Sequence, residues 1–379
     1  MINVFHPSLG DQELNEIKKV FESNWLGRGS VVKEFEAKFA ENLSADPDKF
    51  YGINSCTEGL FLAAELFDFQ PEDEIIVPTV SFIAAGNTVV NSGAKLVLCD
   101  VNKYSLNATP ETISKKITSN TKAIILNHYG GHPCDMDGIM DLAKKHNFYV
   151  IEDSACAVQS FYKGKACGTI GDMGLWSFDA MKCVVTGDGG MVYLSSPELM
   201  EKAKEQCYLG LPASSTSGID KAREGDDAWW EVQINRPGRK AIMNNITAAM
   251  GLIQMERLSG FMKRRKEIYD AYNDAFLNIK WIKTPPDLVK NCTNSYYFYW
   301  IQIEQRNNLA KYLKQNGVYT TFRYWPLNKV DYFNINNSLY YPNTEHAVER
   351  TLNLPIHQNL SDNDVEKIIT LVTKFSSIY

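Results

Sequence analysis

Short apolar runs alternate with helix-like stretches between about residues 50 and 153, and this alternation restricts the fold more than any other feature of the chain. Ile75–Val77 (before Pro78), Lys95–Val101, Lys122–Leu126 and Phe148–Ile151 are short and rich in β-branched or aromatic residues, as buried strands are. Between them Ile83–Val90, Pro110–Ile117 and Asp135–Lys145 suit helices. The last begins acidic and ends basic, which complements the helix dipole. Strands separated by helices pair in parallel, because the crossover returns the chain to the same end of the sheet. The expectation is a three-layer α/β/α domain with ligands beyond the carboxyl ends of its strands. Asn127-His128, Glu152-Asp153 and the segment after Trp176 fall at those ends.

Beyond this region, Met191–Leu194 follows a Gly-Asp-Gly-Gly turn and reads as an antiparallel addition to the sheet. Ser214–Asn235 is polar, contains Gly and carries Trp229-Trp230, so it reads as a loop or excursion. Ile246–Tyr272 is a long amphipathic helix with Met250, Ile253, Leu258 and Met262 among its apolar positions. The chain of 379 residues is therefore expected to divide into a large domain, 1–245, and a smaller C-terminal α/β domain, 246–379. A net charge of −6 argues against a nucleic-acid partner. The eight cysteines form no CxxC pair and have no histidine at zinc-ligand spacing, so they read as free thiols in a reducing compartment, with no metal site. The first residues lack the basic-then-apolar pattern of a signal peptide. The longest weakly polar stretch, Ile75–Val90, is broken by Pro78, Thr79, Ser81 and Asn87, so no membrane span is expected and the protein is read as cytoplasmic.

The segment Ile151–Gly190 is the richest in chemistry: an acidic pair ends a strand, and Ser177-Phe178 precedes Lys182 and the Gly-Asp-Gly-Gly turn. These parts match what pyridoxal 5'-phosphate (PLP) requires. A lysine must form the imine and shuttle a proton, and a carboxylate must face the pyridine nitrogen. The phosphate needs backbone N–H groups at a helix start together with hydroxyls, and an aromatic face must cover the ring. Lys182 is the candidate imine lysine and Asp153 the candidate pyridinium partner, the two catalytic residues of this reading. Cys56, Thr57 and the Glu58 amide precede the apolar helix Leu60–Phe67 and could cradle the phosphate, with Ser177 adding a hydroxyl. Phe82, just beyond the strand ending at Val77-Pro78, could stack on the ring.

In order and spacing these blocks resemble the DegT/DnrJ/EryC1/StrS family of fold-type I sugar aminotransferases, over nearly the whole chain. Trp25-Leu26-Gly27-Arg28-Gly29 with Val32–Phe39 looks like the family's opening signature. Val77–Phe82, Glu152-Asp153-Ser154-Ala155, Tyr162–Lys165 with Gly171-Asp172, Ser177–Lys182 and Thr186–Gly190 follow in the family's order, and Leu354-Pro355-Ile356-His357 with Leu360-Ser361-Asp362 resembles its close. The resemblance implies an aspartate-aminotransferase-like fold. It also implies transfer of an amino group, with L-glutamate as donor, to a keto sugar that is nucleotide-linked by family default, in polysaccharide or glycoconjugate biosynthesis. It further implies a homodimer in which Arg239 and Lys240 reach the neighbouring subunit's site, Lys240 near the phosphate. Trp25, Leu26, Asp179, Arg239, Arg323, Tyr324 and His357 are its candidate substrate-binding residues.

The chain also departs from the family pattern. Cys156 stands where glutamine is usual, and Asp179 where His or an aromatic is common. Gly238-Arg239-Lys240-Ala241-Ile242-Met243 replaces an Asn-x-Arg-Met run, and Arg323-Tyr324-Trp325-Pro326-Leu327-Asn328 replaces His-Tyr-x-Pro-Leu-His. By the resemblance, most of these positions fall in substrate-facing segments. A non-nucleotide acceptor such as an aldehyde or keto sugar, a sugar acid or a small phosphorylated ketone therefore stays open. So does a PLP-dependent sugar dehydratase, although that branch replaces the lysine by histidine.

Overall fold

In a computed structural model of the chain, residues 1–212, 228–234, 236–333 and 340–375 are described. Its centre is a seven-stranded sheet formed by β1 (Phe50–Ile53), β2 (Glu74–Pro78), β3 (Lys95–Cys99), β4 (Thr121–Asn127), β5 (Tyr149–Asp153), β8 (Met173–Ser177) and β9 (Gly190–Leu194), in the order β1-β9-β8-β5-β4-β2-β3. Neighbours from β3 through β8 are parallel, whereas β9 runs antiparallel to both β8 and β1. The inner parallel strands β2, β4 and β5 are buried on both faces, which is why they read as continuous apolar runs and not as alternating ones. A small hairpin, β6 (Phe161–Tyr162) with β7 (Lys165–Ala166), stands apart from this sheet.

Helices cover the sheet: α3 (Cys56–Leu66), α4 (Ile83–Ser92), α5 (Pro110–Ser114), α6 (Met136–His146) and α7 (Pro197–Cys207), with α1 (Asp11–Glu22) and α2 (Ser30–Asn42) ahead of them. The expected start of α6 is borne out in detail, since Asp135 is its N-cap and accepts from the Gly138 N–H at 3.4 Å. Helix α5 stops at Ser114, short of the expected Ile117. Strand β3 ends at Cys99 and not at Val101, because the next residue, Asp100, turns its carboxylate to the Val101, Asn343 and Thr344 N–H groups. On one side of the sheet Trp176 is fully buried and packs edge-on against Phe39 with 5.3 Å between centroids. Burying one such side chain stabilises the fold by about 1.5–3 kcal/mol.

The long helix α8 (Asn245–Phe276) packs along α1 and α2. It runs four residues past the expected Tyr272, because Phe276 stacks on Tyr272 at 5.8 Å and both are buried. Beyond it lie β10 (Tyr299–Gln302), α9 (Arg306–Gln315), α10 (Pro342–Arg350), β11 (Thr351–Leu354) and α11 (Asp362–Phe375). Strands β10 and β11 form a two-stranded antiparallel sheet, with Ile301, Leu309, Leu313, Leu352 and Ile368 in the core beneath it. The chain's first residues join this part. The Ile2 N–H donates to Gly317 O at 2.8 Å, and the Tyr319 N–H donates to Ile2 O at 2.9 Å. Most of the expected excursion 214–235 lies outside the described residues; Trp229 and Trp230 lie within them, exposed and edge-on to each other at 4.5 Å. No described helix is long and apolar enough to cross a membrane.

Candidate active site

Three chain segments converge at the carboxyl end of the sheet because of how β9 is placed. Gly190 is in register with Ser177 on β8 and with Ile53 on β1, so the end of β8 and the start of α3 flank the same residue. A side chain at position 190 would come within 2.6 Å of the Cys56 nitrogen. Glycine there lets β9 pass close against the first turn of α3. Asp153 ends β5 and is in register with Asn127, the last residue of β4. The loop 178–189 joins β8 to β9, turns through Gly187 and Gly189 at positive φ, and carries Lys182 over the strand ends.

One cavity gathers Cys56, Thr57, Phe82, Asp153, Ser177, Asp179, Lys182, Arg323 and Tyr324, together with Asn127, His128, Cys156, Met181 and Tyr297. Lys182 Nζ lies 3.8 Å from Cys156 Sγ and 5.0 Å from the Tyr297 ring centroid. Cys156 Sγ is in turn 3.3 Å from Tyr324 Oη. Burial alone would pull the Lys182 pKa down, but Cys156, Tyr297, Tyr324 and Asp153 outweigh it and hold the ammonium well above its ordinary range. Burial drives the Asp153 carboxyl up, and the Ala155 N–H, Lys182 and His128 only partly offset this. The Ala155 N–H donates to Asp153 Oδ1 at 3.1 Å.

The loop under Lys182 is built from its own polar side chains. The Asp179 N–H donates to Ser177 Oγ at 3.3 Å, the Met181 N–H to Asp179 Oδ1 at 3.0 Å, and the Lys182 N–H to Asp179 O at 2.9 Å. Asp179, puzzling as a substitution, is thus the residue that shapes the turn presenting the lysine. From α8, Gln254 Oε1 accepts the Val185 N–H at 3.3 Å and ties the loop to the long helix.

These residues fit PLP. A buried carboxyl whose pKa is raised by desolvation is what a protonated ring nitrogen would satisfy, and Asp153 is such a group. Cys56 and Thr57 line the cavity at the first turn of α3, where N–H groups have no intrahelical acceptor and the helix dipole favours an anion. Ser177 brings a hydroxyl to the same cavity. Phe82 is 42% exposed and only tilted against Tyr324 at 5.5 Å, so its face is not absorbed by the core.

Other expected residues lie elsewhere. The Glu58 N–H donates to the cap hydroxyl of Ser55 at 3.1 Å, and its carboxylate pairs with Arg239. Arg239 joins Glu58 and Glu65 on α3, and the backbone of Lys240 pairs with Tyr208, both outside this chain's cavity. Trp25 and Leu26 are exposed and do not line it either. His357 is buried against His6, with 5.7 Å between ring centroids, beside a separate depression near the chain's first residues. Tyr297 has no counterpart among the sequence-derived candidates. It sits in an aromatic-rich stretch before β10, and nothing in that stretch marks it as facing the lysine.

Comparison with known proteins gives the same direction. Residues 7–373 match the DegT/DnrJ/EryC1/StrS aminotransferase family. A dTDP-4-dehydro-2,3,6-trideoxy-D-glucose 4-aminotransferase of Saccharopolyspora spinosa is 42% identical, over 97% of this chain and 95% of that protein. The crystal structure of the aminotransferase TlmJ from Streptoalloteichus hindustanus superposes with a TM-score of 0.93 at 42% identity, covering 100% of both chains. Spr1654 of Streptococcus pneumoniae, solved in its PMP form, superposes with a TM-score of 0.91 at 26% identity, again over 100% of each chain.

Proposed function

The chain belongs to the DegT/DnrJ/EryC1/StrS aminotransferase family and is a PLP-dependent sugar aminotransferase, and from that premise we propose that it moves an amino group from L-glutamate to the ring carbonyl of a nucleotide-linked keto sugar. The observation that carries this reading is the placement of one half-buried lysine and one buried carboxylate, Lys182 and Asp153, in the same cavity as the open first turn of a helix. PLP, when bound, supplies an electron sink and a temporary carrier for the amino group. Asp153 would hold the proton on the ring nitrogen. Cys56, Thr57 and Ser177 would hold the phosphate, and Phe82 would cover one ring face. Lys182 Nζ would take the proton from the donor's α-carbon and deliver a proton to the acceptor carbon as the new amine forms. Tyr297 and Cys156 lie beside that amine.

The sugar-nucleotide acceptor is supported by the 42% identity to the S. spinosa enzyme, whose name specifies a dTDP-linked keto sugar. We further propose a homodimer in which Arg239 and Lys240 complete the partner's site, within polysaccharide or glycoconjugate biosynthesis. The test is to incubate the protein with PLP, L-glutamate and candidate keto sugars, and to measure 2-oxoglutarate and aminated sugar together. Equal amounts of the two products, abolished in Lys182→Ala, are expected. Formation of a deoxygenated sugar without 2-oxoglutarate would overturn the reading in favour of a dehydratase.

A further inference from the structure

Arg323 differs from every other described arginine. Each of the others gives its guanidinium to at least one oxygen: Arg28 to Glu36, Arg257 to Glu13 and Arg306 to Val348 O, for example, and the rest likewise to carboxylates or carbonyls. The Arg323 guanidinium meets no oxygen acceptor among the described residues. Its Nη2 lies 3.8 Å from Met181 Sδ, and its Cζ lies 5.1 Å from the Phe5 ring centroid. A guanidinium left without an acceptor inside a functional cavity is a receptor for an anion that arrives from outside.

The backbone beneath it is fixed. The Arg323 N–H donates to Asn353 Oδ1 at 2.8 Å, the Tyr129 hydroxyl donates to Arg323 O, and Asn353 Nδ2 donates to Tyr129 Oη at 3.1 Å. Tyr129 and Asn353 are both fully buried, so the backbone that carries the Arg323 side chain is held firmly. Phe5, the ring under the guanidinium, stacks on Tyr297 at 5.6 Å, and Tyr297 is the ring beside Lys182 Nζ. The free fork therefore lies in the lining of the same cavity as the reactive amine, next to Met181, the residue preceding Lys182.

We propose that Arg323 is the clamp for the α-carboxylate of the amino donor, an inference that rests on the aminotransferase reading above. The two anions that visit such a site differ in where their charge sits. In an amino acid the carboxylate is bonded directly to the carbon that loses the amine. In a sugar nucleotide the diphosphate is bonded at the anomeric carbon, with the sugar ring between it and a ring carbonyl. An anion receptor beside the Met181-Lys182 pair matches the first arrangement. The planar fork accepts both carboxylate oxygens at once, which orients the donor's α-carbon toward Lys182 Nζ as well as binding it.

The test uses the holoenzyme and its Arg323→Gln and Arg323→Lys variants, each checked for an unchanged thermal midpoint. Glutarate, an unreactive dicarboxylate, and a nucleoside diphosphate are titrated separately by calorimetry, and KM and kcat are measured for the amino donor. Arg323→Gln should weaken glutarate on the order of tenfold or more, with Arg323→Lys in between, since a charged hydrogen-bond partner is lost. The loss should appear mainly in the donor KM, and nucleoside diphosphate affinity should stay within about twofold. Equal glutarate affinity in wild type and Arg323→Gln, or no glutarate binding to wild type, overturns the clamp. Loss of nucleoside diphosphate affinity alone also overturns it and assigns Arg323 to the acceptor. A wild-type enzyme that aminates its acceptor while failing these tests refutes the clamp and leaves the proposed function standing; a wild type that aminates nothing refutes the function itself.

Discussion

Replacing Glu152 by Gln should destabilise the fold and loosen the cofactor pocket, because four N–H donors converge on its carboxylate. Oε2 is 3.0 Å from His128 Nε2 and accepts the Gly168 N–H at 2.7 Å, while Oε1 accepts the Ile170 and Gly171 N–H groups at 2.8 and 2.6 Å. His128 Nδ1 accepts the Cys134 N–H at 3.1 Å, so Nε2 must carry the hydrogen that faces Glu152. Whichever way the substituted amide turns, two donors face its NH2 group, and His128 cannot move its proton to Nδ1 without stranding Cys134. The Glu152 and His128 side chains are both fully buried. A buried donor without an acceptor costs about 1–3 kcal/mol, so two cost about 2–6 kcal/mol. Urea unfolding of wild type and Glu152→Gln, with slopes compared as well as midpoints, reads this directly. Asp153 is the next residue on β5, so the variant should also retain less PLP after dialysis. A stability change below about 1 kcal/mol would show that the four-donor cage is not the anchor of this strand end.

Two further outcomes follow from the same geometry. Asp153→Asn should leave the fold intact and lower amine transfer on the order of 10²–10³-fold, since a buried, positioned charge is lost from the reaction centre; steady-state turnover with full cofactor occupancy checks this. His132 is buried, and desolvation lowers its pKa to about 4 in the folded chain, against about 6.5 when unfolded. The unfolded chain therefore takes up the proton first, so stability is full above pH ~6.5 and is lost as pH falls toward 4, by up to about 3 kcal/mol. His132→Asn should flatten that part of the curve of unfolding free energy against pH; an unchanged slope would contradict the assignment.

The parts of the fold that were legible in the sequence are those with a local cause. The runs at 75–77, 122–126 and 148–151 are too short and too apolar for surface helices, and they became β2, β4 and β5. Strand β1 was not legible: Gly52 interrupts its apolar run, and its partner strand β9 is far along the chain. The same division applies to the site. Lys182, Asp153, Thr57 and Ser177 sit at strand or helix ends or in the loop between strands, and the structure brings them into one cavity. Tyr297 and the Asn353–Tyr129 support under Arg323 arise only when the C-terminal part packs against the sheet, which no local pattern encodes. Asp179 carried a signal that was visible but ambiguous. A short acidic side chain two residues before Met181 suits a turn as well as a ligand, and the structure shows the turn.

Lys182, over Asp153, is proposed as the lysine that holds PLP. Treating the PLP-loaded protein with borohydride, digesting it and locating the pyridoxyl group by mass spectrometry tests this most directly. One modified lysine, Lys182, is expected, with protection from modification when L-glutamate is added before the reductant. A pyridoxyl group on Lys240 or another lysine, with Lys182 unmodified, would contradict it.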